Sequence, residues 1–272
     1  SNGCICCTVA DDFLPAMERL LGRADPPDHI VIETSGLALP QPLLRAFAWP
    51  GVATRLTVDG VVTVVDGKAL AEGRFAEDEA AVAAARDGLE GDHDQPLVEL
   101  FEDQLACADL VVLNKADLLA PEEAAALAAR LAALSRPGVR ALPATRGALP
   151  LEVLLGLGAA AESEPRPMPH HDGEEDHDHD EFESFVVELP EEADAKALQA
   201  RVAAAVASHG ILRLKGFAAI AGKPLRLAVQ AAGPRVEAYF DRPWGDGPRR
   251  TRLVVIGEAG LDRAGIAAAL AA

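Results

Sequence analysis

A chain of 272 residues, half of them hydrophobic, has room for about two domains and a real core, which argues against a disordered or fibrous protein. Glycine and proline number 23 and 19, well short of the ~25–30% that marks low-complexity sequence. The formal net charge of −18 repels phosphate backbones and anionic lipid, so nucleic-acid and membrane-surface binding are disfavoured and cations are the natural partners.

In chain order, GCICC comes first and places Cys4, Cys6 and Cys7 within four residues. That crowding is incompatible with an ordinary disulfide framework, so reduced thiols and a cytoplasmic location are expected. A helix is predicted to follow from about Asp12, capped by Asp11 or Asp12, with Pro15 tolerated in its first turn. Partial positive charge at a helix N-terminus favours thiolate, the form that a soft or borderline metal ion takes as ligand. Three cysteines leave a tetrahedral ion one ligand short, which suits an open, exchangeable site better than a closed structural one. Buried small cysteines and a redox switch are the competing readings.

HIVIET, VVTVVD, DLVVLN and VRALPA read as strands, alternating with helices from near Asp12, Pro40, Leu97 and Pro121. Nearly continuous apolar runs separated by helices predict a parallel α/β sheet covered on both faces, with chemistry beyond the carboxyl ends of its strands. Two strand ends stand out. In ETSGLALP, Glu33 closes the strand and Gly36 permits close backbone approach to a phosphate or its metal ion; an ordinary strand-ending turn is the alternative. Ser35 lacks the flanking glycines of a hydrolase nucleophile elbow. In LNKADL, Asp117 can accept from guanine N1–H and the exocyclic amine, with Lys115 along the base and Asn114 bracing the loop. Adenine would leave that carboxylate unpaired.

Cys107, His29 and His209 read as core side chains, and His93 lies in a loop-like GDHDQ. No apolar run spans a bilayer, since Arg130 interrupts even AAALAARLAAL. From Ser163 the chain turns to proline, acid and histidine, a linker in which His170, His171, His177 and His179 would collect metal weakly if at all. Beyond it the order β-α-β-β-β-β-α predicts a small α+β domain with a mainly antiparallel sheet. DRPWGDGPRR is a partner surface or a plain loop.

GCICC, ETSGLALP and LNKADL, followed by the histidine-acid linker and KGFAAIAGKPLRLAVQAAGPRVEAYFDRPWG, resemble the CobW branch of the metal-handling SIMIBI P-loop GTPases over essentially the whole chain. The resemblance implies a P-loop GTPase domain over residues 1–162, incomplete at its N-terminus, a linker over 163–182 and a CobW C-terminal domain over 183–272. Residue by residue, it makes Cys4, Cys6 and Cys7 the metal ligands, Glu33 the catalytic residue of a Walker-B-like E-x-x-G, and Gly36, Asn114, Lys115 and Asp117 the nucleotide-binding residues. The implied cofactors are GTP and Mg²⁺. The implied cargo is Co²⁺, with Zn²⁺ the alternative, and the implied recipient is cobaltochelatase. A GTP-independent metal-binding protein is the other reading. No G-x-x-x-x-G-K-[ST] occurs in the sequence, so a truncated product is expected, one that by itself neither holds GTP tightly nor hydrolyses it. An apolar cleft beside the Glu33 strand is expected with it.

Overall fold

The computed structural model describes residues 13–49, 52, 55–75, 97–155, 182–244 and 249–272. Two short helices lead, α1 (Leu14–Leu21) and α2 (Pro40–Ala46), each with a proline in its first turn, where the missing N–H costs nothing. Then come β1 (Val62–Asp66), α3 (Gly67–Ala71), α4 (Leu97–Cys107), β2 (Leu110–Asn114), α5 (Pro121–Leu134), β3 (Arg140–Pro143) and α6 (Leu151–Leu155). The three strands form a parallel sheet in the order β1-β2-β3, with Asp66 level with Asn114. On one face, Val65, Val111 and Leu113 pack against Leu105 of α4 and Leu127 and Leu131 of α5.

The chain continues as β4 (Phe182–Leu189), α7 (Ala195–His209), β5 (Ile211–Ala218), β6 (Leu225–Ala232), β7 (Arg235–Pro243), β8 (Thr251–Glu258) and α8 (Arg263–Ala271). Its antiparallel sheet runs β4-β8-β5-β6-β7, the α+β arrangement that the sequence predicts. Helices α7 and α8 cover one face through Leu198, Val202, Ile266 and Leu270 against Leu214, Leu227, Leu253 and Val255. Asp194 and Asp262 cap these helices by accepting from the Ala197 and Gly265 amides. On the opposite face, Leu212, Val254 and Ile256 share a cluster with Val153 of α6 and with Leu110 and Leu142 of the parallel sheet.

Buried ions reinforce that junction. Asp109, 1% exposed, accepts from the Val61 amide at 2.8 Å and from Arg235 Nε at 2.6 Å, and its other oxygen meets Arg136. Arg213, 3% exposed, donates to the Val153 carbonyl at 2.6 Å, to the Leu154 carbonyl and to Asp59 at 2.7 Å. Lys215 adds a bond to the Leu155 carbonyl at 3.0 Å, so two cations sit at the C-terminal carbonyls of α6. Gly233, at φ +48°, lies so close to Asp109 that a Cβ would stand 2.1 Å from its carbonyl oxygen. Only glycine combines that backbone conformation with that approach.

Two sequence expectations need correction. Residues 29–34 carry no strand assignment, and among the described residues no neighbour supplies them with a ladder of hydrogen bonds. Instead Ile30 and Ile32 turn inward against Phe13, Met17 and Leu43 of a separate small cluster, while Val31 is 73% exposed. His29 is exposed rather than core. Cys107, by contrast, is buried at the end of α4 as expected, and burial pushes its thiol pKa up. Val31 and, on β1, Val62 and Val64 are exposed. Asp11, Asp12, His93 and the linker histidines lie outside the described residues, and no described helix is long and apolar enough to cross a membrane.

Candidate nucleotide site

Beyond the carboxyl end of β2 the chain is held from three sides. The Asn114 side-chain oxygen accepts from the Gly147 amide at 2.8 Å, which ties this loop to the one after β3. The Ala144 amide donates to the Leu113 carbonyl at 2.9 Å, and the Ala116 amide to the Ala144 carbonyl at 3.1 Å. Lys115 takes a left-handed backbone, φ 61° and ψ 30°, before one turn of 3₁₀ helix over Ala116–Leu118. Lys115 Nζ then lies 2.8 Å from Asp66 Oδ2. Asp117 and Leu118 face solvent, and no donor among the described residues reaches the Asp117 carboxylate. An exposed, rigidly based acceptor is what guanine N1–H and its amine require.

Asp66 is the residue that sequence reasoning passed over. Its Oδ1 accepts from the Ala69 amide at 3.0 Å as the cap of α3. Burial raises its pKa, but the Lys115 bond and the Ala69 and Lys68 amides outweigh this and hold the carboxyl below its ordinary value. The available signal is the pattern itself, since VVD closes β1 as VVLN closes β2. Gly67 completes the fit, because a Cβ there would stand 2.8 Å from the Asn114 carbonyl oxygen and 3.0 Å from Leu113.

Glu33 is exposed at the end of the extended segment. The following turn is shaped by Ser35, whose hydroxyl accepts from the Leu37 amide at 3.2 Å, and by Gln104 of α4, which donates to the Gly36 and Ala38 carbonyls at 2.9 and 3.1 Å. Among the described residues nothing stands within 4 Å of a Cβ built on Gly36. Lys115 of the LNKADL loop is thus tied to Asp66, whereas Gly36 is anchored separately through α4 and Glu33 stands exposed before it. Cys4, Cys6 and Cys7 lie outside the described residues, and among the described residues no group of three or more His, Cys, Asp or Glu is arranged to hold a metal.

Residues 1–139 match "CobW/HypB/UreG, nucleotide-binding domain" and residues 182–272 match "Cobalamin synthesis protein cobW C-terminal domain". The chain belongs to the CobW/HypB/UreG family. Across its full length it is 52% identical to the zinc chaperone CobW of a Sinorhizobium species, spanning 79% of that protein, and over 98% of its length it is 53% identical to the zinc chaperone CobW of Pseudomonas aeruginosa, spanning 72% of that one. It is also similar to the zinc chaperone YjiA of Escherichia coli, at 27% identity over 94% of this chain and 76% of the relative. A crystal structure of Zn(II)-bound YjiA GTPase aligns at 24% identity with a TM-score of 0.38, covering 99% of this chain and 76% of that one, a likeness too slight to carry weight.

Proposed function

We propose that the protein is a guanine-nucleotide-responsive metallochaperone that carries its ion on Cys4, Cys6 and Cys7. The supporting observation is the loop after β2, where Asn114 is engaged by Gly147 of the loop after β3, Lys115 by Asp66 of β1, and Asp117 is left open. In this reading Asp117 selects guanine, with Asn114 and Lys115 shaping the pocket. Glu33 and Gly36 face the phosphates, an exposed carboxylate beside a turn being suited to a hydrated Mg²⁺ that keeps most of its waters; Glu33 takes the catalytic part in GTP hydrolysis only where a G-x-x-x-x-G-K-[ST] loop, which this sequence does not contain, grips the phosphates. Bound Mg²⁺ would neutralise charge on the phosphates. Residues 1–162 carry these sites, 163–182 join them to the rest, and 183–272 form the C-terminal domain.

Zinc is the favoured cargo, because both relatives at about half identity are named zinc chaperones. Delivery of cobalt(II) to cobaltochelatase is the second reading, favoured by the cobalamin-synthesis description of the matched C-terminal region. Thiolate ligands alone do not separate the two ions. Reduced cysteines fit a cytoplasmic location.

The test is a competitive titration of the full chain with Zn²⁺ and with Co²⁺, each with and without GTP and with ATP as control, repeated on Asp117→Ala. A change of about tenfold in metal affinity on adding GTP, of the size typical of coupled sites, absent with ATP and absent in the variant, is expected. Metal affinity indifferent to GTP points to a metal-binding protein without nucleotide control. Tighter, GTP-responsive binding of Co²⁺ than of Zn²⁺ supports the second cargo.

A further inference from the structure

We propose that Asp66 is a positioning residue for base recognition, setting Lys115 so that Asp117 stays free to read guanine. The proposal rests on the guanine reading above and adds to it a residue outside the LNKADL motif.

Asp66 ends β1 in register with Asn114, the last residue of β2, so its carboxylate stands at the base of the reading loop. Its two oxygens have different partners. Oδ1 accepts from the Ala69 amide at 3.0 Å, which is all that a helix cap requires. Oδ2 lies 2.8 Å from Lys115 Nζ. Asparagine, serine or threonine would cap α3 as well as aspartate does, so the negative charge is explained by the lysine and not by the cap.

Lys115 needs such a partner. Its φ of 61° is a conformation that lysine rarely adopts, and a side chain leaving that backbone is fixed only if its far end is tied. The ion pair ties it, so the aliphatic stem is stretched between a constrained backbone and Asp66. A fixed, apolar stem is a surface against which a flat base can lie. The pair also diverts a charge. Only Ala116 separates Lys115 from Asp117, and an untethered ammonium would be a ready partner for that carboxylate, competing with guanine N1–H and its amine for the same oxygens. Gly67 allows this close arrangement, since a side chain there would press on the Asn114 carbonyl at 2.8 Å.

Asp66→Asn separates the two duties, because the amide oxygen can still cap α3 while the charge facing Lys115 is lost. GDP and ADP affinities of the full chain are measured by calorimetry for wild type, Asp66→Asn, Lys115→Met and the double variant, with the thermal midpoint of each. Loss of one charge-assisted contact is expected to weaken GDP binding about tenfold, leave ADP binding and the midpoint of Asp66→Asn close to wild type, and have no further effect once Lys115 is methionine. Undiminished preference of Asp66→Asn for GDP over ADP overturns the proposal while leaving the guanine reading intact. An equal loss with and without Lys115, accompanied by a lower midpoint, overturns it in favour of a purely structural cap. A wild-type chain that does not distinguish GDP from ADP overturns the guanine reading and this role with it, and that result appears before any variant is compared.

Discussion

Asp109 and Asp117 stand at opposite ends of β2, and their surroundings differ throughout. Asp109 is sealed at the amino end, 1% exposed, with the Val61 amide, Arg136 and Arg235 around it. Asp117 lies past the carboxyl end in solvent, with no donor among the described residues in reach. A buried carboxylate with both oxygens engaged joins one sheet to the other, and a solvated one with idle acceptors is available to a ligand. The same residue type is thus sealed at one end of a five-residue strand and open past the other.

Substitution at the two ends should separate those roles in stability measurements. Asp109→Ala leaves Arg136 and Arg235 facing an empty, buried site, and a loss of about 3–5 kcal/mol by urea denaturation is expected; a loss below about 1 kcal/mol would show that the junction is not held there. Gly233→Ala forces a Cβ against the Asp109 carbonyl at 2.1 Å with φ at +48°, and should cost more than about 2 kcal/mol, beyond the usual effect of a Gly→Ala change. Arg213→Met removes three donated bonds but keeps apolar bulk, and about 2 kcal/mol is expected. Asp117→Ala should shift stability by no more than about 0.5 kcal/mol, whatever it does to nucleotide binding; a larger effect would place Asp117 among the structural carboxylates.

Acid titration gives the smallest and most local comparison. Asp66 and Glu183 are both held below the ordinary carboxylate range. For Asp66, burial works in the opposite direction and is outweighed by Lys115 and two backbone amides; for Glu183 the bond from Arg263 leads. A depressed folded pKa contributes stability that is present above the unfolded value, near pH 4, and disappears as pH falls through the lower folded value. Unfolding free energy should therefore decline below about pH 4, and the decline should be shallower in Asp66→Asn. An unchanged slope would mean that the Lys115 pair contributes nothing to folding.

Much of this architecture could be read from the sequence because hydrophobic runs report burial. VVTVVD, DLVVLN and VRALPA became strands, and the later run of strands and helices appeared in the predicted order. The HIVIET segment shows where that reasoning ends. Its apolar residues imply a strand buried on both faces, yet strand formation needs a paired neighbour, and Ile30 and Ile32 find their burial against α1 and α2 instead. The LNKADL residues were found because local order in the chain is local order in the loop. Asp66 and the Arg213 and Asp109 networks were not, since their partners are distant in sequence. A charged residue inside an apolar run, as in ILRLKGF, or directly before one, as Asp109 precedes LVVL, was the available sign.

The anchoring of α6 bears on how the two sheets stay together. Leu154, near the end of α6, and Phe182, which opens β4, pack against one and the same cluster, and Arg213 and Lys215 hold the last α6 carbonyls. The end of α6 and the start of β4 are therefore held at one seam. Contacts between side chains and carbonyls, rather than the continuity of the chain, clasp the two sheets there.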